Sequence, residues 1–126
     1  MGKIIIKRTS NGGYHFTIVA NNSEVVGVSQ TYKSLKSAEN GIESIRKNVD
    51  APVEDQTLAR GFEEKKCPKW VIYKDAADDF RFRLLAANGE IILAASEGYS
   101  RRDSAKKGMD SIRNNADSEI IVKEDE

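Results

Sequence analysis

One cysteine, one histidine, one tryptophan and two prolines stand among the 126 residues of this chain. A single cysteine cannot close an internal disulfide, and one cysteine with one histidine is too few for a Cys/His zinc site. No cofactor or metal is expected. No apolar run approaches the roughly 18 residues that a membrane-spanning helix needs, and charged residues make up 32% of the chain. The opening MGKIIIKRTS is too short for a signal peptide, so a cytoplasmic protein with no membrane contact is expected. Net charge is also missing, with 20 Lys+Arg balancing 20 Asp+Glu. That balance is uneven: residues 1–50 and 69–117 are net basic, whereas 51–68 and 118–126 are net acidic. The basic excess is mild, far from the strong positive field that non-specific nucleic-acid binding requires.

What the chain does have is a repeat. The segment from Lys3 aligns with the one from Lys69 at an offset of 66, through Ile6/Ile72, Phe16/Phe82, Ala20/Ala86, Asn22/Asn88 and Glu24/Glu90. From Ser29 the offset becomes 67, through Ser29/Ser96, Tyr32/Tyr99, Ser37/Ser104, Ala38/Ala105, Gly41/Gly108, Ser44/Ser111, Ile45/Ile112, Arg46/Arg113, Asn48/Asn115 and Asp50/Asp117. Tandem self-similarity at this period marks a duplicated supersecondary unit. The extra residue of copy two falls near Leu93-Ala94-Ala95 and reads as a β-bulge.

Each copy has the same internal order. An apolar run (Ile4–Ile6; Trp70–Tyr73) precedes a turn-rich loop, and strict alternation follows at Tyr14, Phe16, Ile18, Ala20 and at Phe80, Phe82, Leu84, Ala86. Asn21-Asn22 and Asn88-Gly89 are turn dipeptides, the latter suited to a type I′ hairpin, and a third strand follows. The period then changes to that of a helix: Leu35, Ala38, Ile42, Ile45, Val49 in copy one and Ala105, Met109, Ile112, Ala116 in copy two. Ser34 is a suitable N-cap for the first helix, and Ser100 with Asp103 forms a capping-box pattern for the second. The expected fold is α+β: two tandem β-β-β-α repeats with pseudo-two-fold symmetry, an antiparallel sheet and helices on one face. Repeat 1 spans 1–50, a connector 51–68, repeat 2 69–117 and an acidic tail 118–126. Val53, Leu58 and Phe62 are expected to tack the connector to the core, and Ile120–Val122 to add an edge strand. The repeats share one core, and because the tandem copy supplies a partner in cis the protein is expected to be a monomer.

The pattern F-x-F-x-L-x-A-x-N-G-E-I-I … S-E-x-Y … A-x-x-G-(I/M)-x-S-I-(R/K)-x-N-A, read from Phe80 to Ala116 and more loosely from Tyr14 to Val49, resembles the YegP family of small bacterial proteins. Val53–Thr57 (V-E-D-Q-T) and Pro68–Lys74 (P-K-W-V-I-Y-K) resemble it too. The resemblance implies the tandem-repeat fold and no catalytic residues. Copy one departs from the pattern at Asn22-Ser23 and Gln30.

Gly41 and Gly108, flanked by Ser44 and Ser111, lie on a small-residue stripe of each helix, where a mid-helix glycine costs about 1 kcal/mol and so marks a close approach to another element. Tyr32 and Tyr99 sit at the strand-to-helix junctions and read as plugs with a hydrogen-bonded tip. His15, aligned with Arg81, has no partner for acid-base work, and Cys67 lacks a C-x-x-C companion. Neither a Walker loop nor G-x-S-x-G is present, so no enzymatic activity is expected. Helices cover only one side of the sheet, which leaves Lys7, His15, Tyr73, Arg81 and Arg83 on the other. The expectation is a binding module that engages a protein partner through this face or an edge strand, with single-stranded nucleic acid as the alternative ligand.

Overall fold

A computed structural model describes residues 2–123. Repeat 1 contributes β1 (Lys3–Arg8), β2 (Tyr14–Val19), β3 (Val25–Val28), α1 (Leu35–Asn48) and β4 (Val53–Asp55). Repeat 2 contributes β5 (Lys69–Lys74), β6 (Phe80–Leu85), β7 (Ile91–Ala95), α2 (Arg102–Asn115) and β8 (Glu119–Lys123). All eight strands form one sheet in the order β4-β5-β6-β7-β3-β2-β1-β8. The unit is therefore β-β-β-α-β, and its last strand leaves home: β4 joins repeat 2 beside β5, and β8 joins repeat 1 beside β1. Both of these pairings are parallel, so the sheet is mixed rather than antiparallel throughout. Followed across the sheet, β4 runs antiparallel to β3 and β8 antiparallel to β7, which leaves each parallel to the first strand of the other repeat. The registers match: Val53 faces Trp70, and its repeat equivalent Ile120 faces Ile4, the equivalent of Trp70.

Alternation puts Ile4, Ile6, Phe16, Ile18, Trp70, Ile72, Phe82 and Leu84 on one side, all fully buried. They join Ala38, Ile42 and Ile45 of α1 and Ala105, Met109 and Ile112 of α2 in a single core cluster. Neither repeat closes this core alone. α1 packs on β2 and β7, and α2 on β2, β3 and β6, so each helix bridges the β3·β7 seam.

The helix ends are tied across the repeats. Arg46 of α1 donates from Nε to the carbonyl of Ala116, the C-cap of α2, at 2.7 Å and from Nη2 to Ser118 O at 2.9 Å. Arg113 of α2 returns the bond to Val49, the C-cap of α1, at 2.9 Å, and Trp70 Nε1 donates to the same carbonyl. A guanidinium at the negative end of a helix dipole satisfies orphan carbonyls and favours that charge. The paired arginines thus lock each helix to the end of the other.

Several local features differ from what the sequence pattern predicts. The register shift is not peculiar to copy two: it occurs at Ile18/Val19 and at the equivalent Leu84/Leu85. The extra residue instead lengthens β7 by one relative to β3. The Asn88-Gly89 hairpin is not type I′, because only Gly89 has positive φ (84°). Gly89 N donates to Ala86 O and Ala86 N to Glu90 O, a turn followed by one left-handed residue. Copy one makes the same loop with Ser23 at φ 70°. In both loops the asparagine, Asn22 or Asn88, accepts from the backbone N–H of Glu24 or Glu90, which explains the repeated N-x-E. A side chain in the left-handed region is strained where glycine is not. Ser23→Gly is expected to stabilise the protein by about 0.5–1 kcal/mol and Gly89→Ser to destabilise it by a similar amount, read as opposite shifts of the urea midpoint at unchanged slope.

Ser34 caps α1 by accepting from Ser37 N at 3.1 Å. Ser100 does not cap α2, whose N-cap is Arg101, without a side-chain bond, because the helix starts one residue later than the capping-box spacing allows. Residues 124–126, the rest of the acidic tail, lie outside the described residues.

Candidate interaction surface

The face turned away from the helices carries a continuous row of side chains set by the strand registers. It runs Glu54, Val71, Arg83, Ala94, Val28, Thr17, Ile5, Ile121, one residue from each strand from β4 to β8. The β4 end of this row is roofed by the connector. Val71 is buried, and Glu54 is only 2% exposed although it points away from the helix-side core. Glu54 Oε1 accepts from Lys69 Nζ at 2.7 Å and from Lys65 N at 2.8 Å, while Gln56 Nε2 donates to Oε2 at 2.7 Å. Lys69 Nζ also donates to Lys65 O at 2.9 Å and is itself buried. Burial alone would push the Glu54 carboxyl up, but its bonds to Lys69, Gln56 and Lys65 outweigh that and hold it down at about 2. The partnership with Glu54 likewise holds Lys69 above its ordinary range, against the cost of burial.

The next residue works on the opposite side of the sheet. Asp55 Oδ2 lies 3.1 Å from Arg102 Nε at the start of α2, and Arg102 also donates to Thr57 Oγ1 at 3.0 Å and Thr57 O at 3.2 Å. Thr57 N in turn donates to Asp55 Oδ1 at 2.9 Å. The V-E-D-Q-T segment is therefore a clasp that pins the connector to both faces. Leu58 and Phe62 do not do this; both are 46% exposed, and only Val53 of the three expected tacks is half-buried, against the core.

The five expected face residues do share the helix-free side, but they do not form one patch. Lys7 pairs with His15 at one end of the sheet, and Tyr73 pairs with Arg81 at the other. Strand and residue spacing put His15 roughly 20 Å from Arg81. Arg83 stacks on Tyr73 with its guanidinium carbon 4.1 Å from the ring centroid. Arg81 donates from Nε to Asp75 Oδ2 at 2.6 Å, and that bond is the main reason the Asp75 carboxyl is held below its usual range. Two of the four basic residues are thus partly engaged, and the middle of the face is apolar.

The helix stripes serve packing. A Cβ on Gly108 would meet Tyr99 Oη at 2.7 Å and Phe82 Cε2 at 3.0 Å, and one on Gly41 would overlap Tyr32 Oη. The close neighbour is therefore the junction tyrosine of the same repeat and not another helix. Tyr32 lies stacked on Phe16 (centroids 6.0 Å, planes 9° apart) and Tyr99 on Phe82 (6.2 Å, 16°). Their backbones bridge to Tyr14 and Phe80. Burial raises both hydroxyls above their ordinary range, and the Tyr32 hydroxyl, buried, makes no hydrogen bond. Its tip rests on bare helix backbone instead of finding an acceptor. Ser44 and Ser111 offer their carbonyls to the side-chain amides of Asn48 and Asn115.

No group of three or more His, Cys, Asp or Glu side chains that could hold a metal ion occurs among the described residues. A wide groove of about 830 Å³ lies between the C-terminal half of α2 and the β2–β3 turn, lined by residues such as Asn22, Lys107, Asp110 and Asn115. No described helix is long and apolar enough to cross a membrane.

The family profile described as a domain of unknown function (DUF1508) matches residues 9–55 and again 75–122, so the two units seen in the fold are two copies of one family domain. The UPF0339 protein YegP of Yersinia pestis is 37% identical over 121 residues, covering 96% of this chain and 94% of that protein. The chain belongs to the YegP family. A UPF0339 protein of Treponema denticola, 44% identical over 54 residues, covers 43% of this chain but 91% of its own length, and so corresponds to about one repeat. The solution structure of YegP from E. coli superposes with a TM-score of 0.79 at 25% identity, covering 99% of this chain and 95% of that one. A UPF0339 protein from Shewanella oneidensis gives 0.77 at 27%, with 98% and 92% covered. These YegP-family names state no enzymatic activity.

Proposed function

We propose that this protein is a non-enzymatic binding module whose helix-free sheet face seats a protein partner. One observation carries the reading: the row Arg83, Ala94, Val28, Thr17, Ile5, Ile121 crosses six strands with half-buried side chains and no helix over it. An apolar centre flanked by basic ends, Lys7 with Lys123 and Arg81 with Arg83, suits a partner with an apolar patch bordered by carboxylates. We read the two repeats as halves of a pseudo-two-fold unit, since Val28 pairs with Ala94, its own equivalent at the offset of 66. The axis then passes through the middle of the face. Single-stranded nucleic acid is the second reading, and it ranks lower because the Tyr73 ring is already covered by Arg83 and His15 lies in the other cluster.

The test is affinity capture from the native host with wild-type protein and with Thr17→Glu/Val28→Glu. A defined protein retained in high salt by the wild type and lost by the variant is the expected result. An identical set of captured proteins from both removes the face from the account. Strongly salt-dependent binding of single-stranded RNA, abolished by Arg83→Glu, would favour nucleic acid instead.

A further inference from the structure

The two edges of the sheet are built differently. The β4 edge has three residues, follows Pro52, and ties its carboxylates inward to Lys69 and Arg102. Those are the devices by which a sheet edge is closed to further pairing. The β8 edge has five residues, Glu119-Ile120-Ile121-Val122-Lys123, with β1 on one side and no strand on the other among the described residues. Val122 is 40% exposed there.

We propose that β8 is a self-complementary interface through which two copies of this chain pair edge to edge. Its residue order, acidic-apolar-apolar-apolar-basic, is complementary to its own reverse. Laid antiparallel against itself and centred on Ile121, the strand sets Glu119 opposite Lys123 twice, Ile120 opposite Val122 twice, and Ile121 opposite itself. Faces agree as well as charges. Glu119, Ile121 and Lys123 align with Lys3, Ile5 and Lys7 on the helix-free side, and Ile120 and Val122 align with the buried Ile4 and Ile6 on the helix side. The pairing therefore continues both layers. A parallel arrangement sets Glu against Glu and Lys against Lys, which is unfavourable across strands. A one-residue slip sends every side chain to the wrong face. A single register thus satisfies charge, apolar contact and face together, and it is isologous, as a two-fold dimer requires. The outcome is one sixteen-stranded sheet with the two helix-free faces side by side. The tandem duplication makes a second copy unnecessary for the core, but it leaves this edge open, so the pairing departs from the monomer expected on sequence grounds. It does not depend on what the sheet face binds.

A five-residue edge buries less than the roughly 1,200 Å² of a standard stable interface, so association is weak and concentration-dependent, with Kd on the order of 10–100 µM. Sedimentation equilibrium of the full chain is the experiment. Glu119→Lys alone and Lys123→Glu alone each place like charges at both contacts and are expected to weaken dimerisation about tenfold or more. Mixed one to one, these two variants are expected to associate with each other about as well as the wild type does with itself, because every contact is again opposite in sign. The doubly reversed Glu119→Lys/Lys123→Glu chain is expected to dimerise like the wild type. Wild-type protein that stays monomeric to about 1 mM overturns the proposal. So does a dimer that neither single reversal weakens, since it must use another surface.

Discussion

Lys69→Met is expected to lower Tm by on the order of 10 °C, although it replaces a lysine with an apolar side chain of similar length. The reason is the group left behind. Glu54 stays 2% exposed, keeps its bonds from Gln56 and Lys65 N, and loses the positive charge of Lys69 Nζ that lies against it. Removing half of a buried pair is costly because the remaining charge is uncompensated, whereas replacing both halves with apolar groups is often neutral. Glu54→Leu/Lys69→Met is therefore expected to recover most of the loss. The same pair sets a pH window. Glu54 is held at about 2 against an ordinary 4.5, so its contribution is complete above the ordinary value and is lost as pH falls towards 2. Asp75, held down chiefly by Arg81, adds a loss of the same sign. Lys69 is raised, so its contribution is complete below its ordinary value of 10.5 and is lost as pH climbs past it. Urea midpoints followed by the fluorescence of the buried Trp70 should be level between these limits and fall at both ends in the wild type. The double variant should fall less on the acid side. A Lys69→Met protein as stable as the wild type at neutral pH would falsify the clasp.

Gly108→Leu carries the second large effect, a loss of about 3 kcal/mol or more. Overpacking a tight core typically costs 1–3 kcal/mol for small additions, and here even the first carbon meets Tyr99 Oη at 2.7 Å and Phe82 at 3.0 Å. Gly41→Leu should behave alike against Tyr32 and Phe16. Gly108→Ala separates the possible causes. Alanine is the better helix former by about 1 kcal/mol, so the clash and the propensity oppose each other. Adding Tyr99→Phe removes the nearest atom, and the pair of substitutions should be more stable than Gly108→Ala alone. Thermal melts showing no such coupling would mean that the glycines are retained for some reason other than the tyrosine.

Much of this fold is legible in the sequence, and the parts that are not share a cause. Three strands and a helix per repeat follow from alternation and from the 3–4 spacing of apolar residues. β4 does not, because a three-residue strand holding Glu54 and Asp55 carries no apolar signal. A clue was nevertheless present: Val53–Asp55 stands 67 residues before Ile120–Val122, just past the last repeat identity at Asp50/Asp117. Extending the alignment by three residues equates the two strands, although not where they pair. That exchange between repeats, like the reach of Arg46 to Ala116 and of Arg113 to Val49, is a long-range contact, and local pattern does not encode it. The same limit applies to the candidate face. Alternation correctly turns Lys7, His15, Tyr73, Arg81 and Arg83 to one side, but only the registers separate them into two ends. Glu54 and Lys69 are illegible for a different reason: a carboxylate in the connector and a lysine directly after Pro68 read as solvated until the chain that roofs them is seen.

The repeats interlock, each supplying the other's edge strand and helix cap, so that neither half should open alone. Native-state hydrogen exchange measures this directly. The slowest amides of β1 and β2 and those of β5 and β6 should share one opening free energy and one denaturant slope, equal to those of global unfolding. Two classes, with one repeat opening at lower free energy and a smaller slope while the other stays closed, would contradict it.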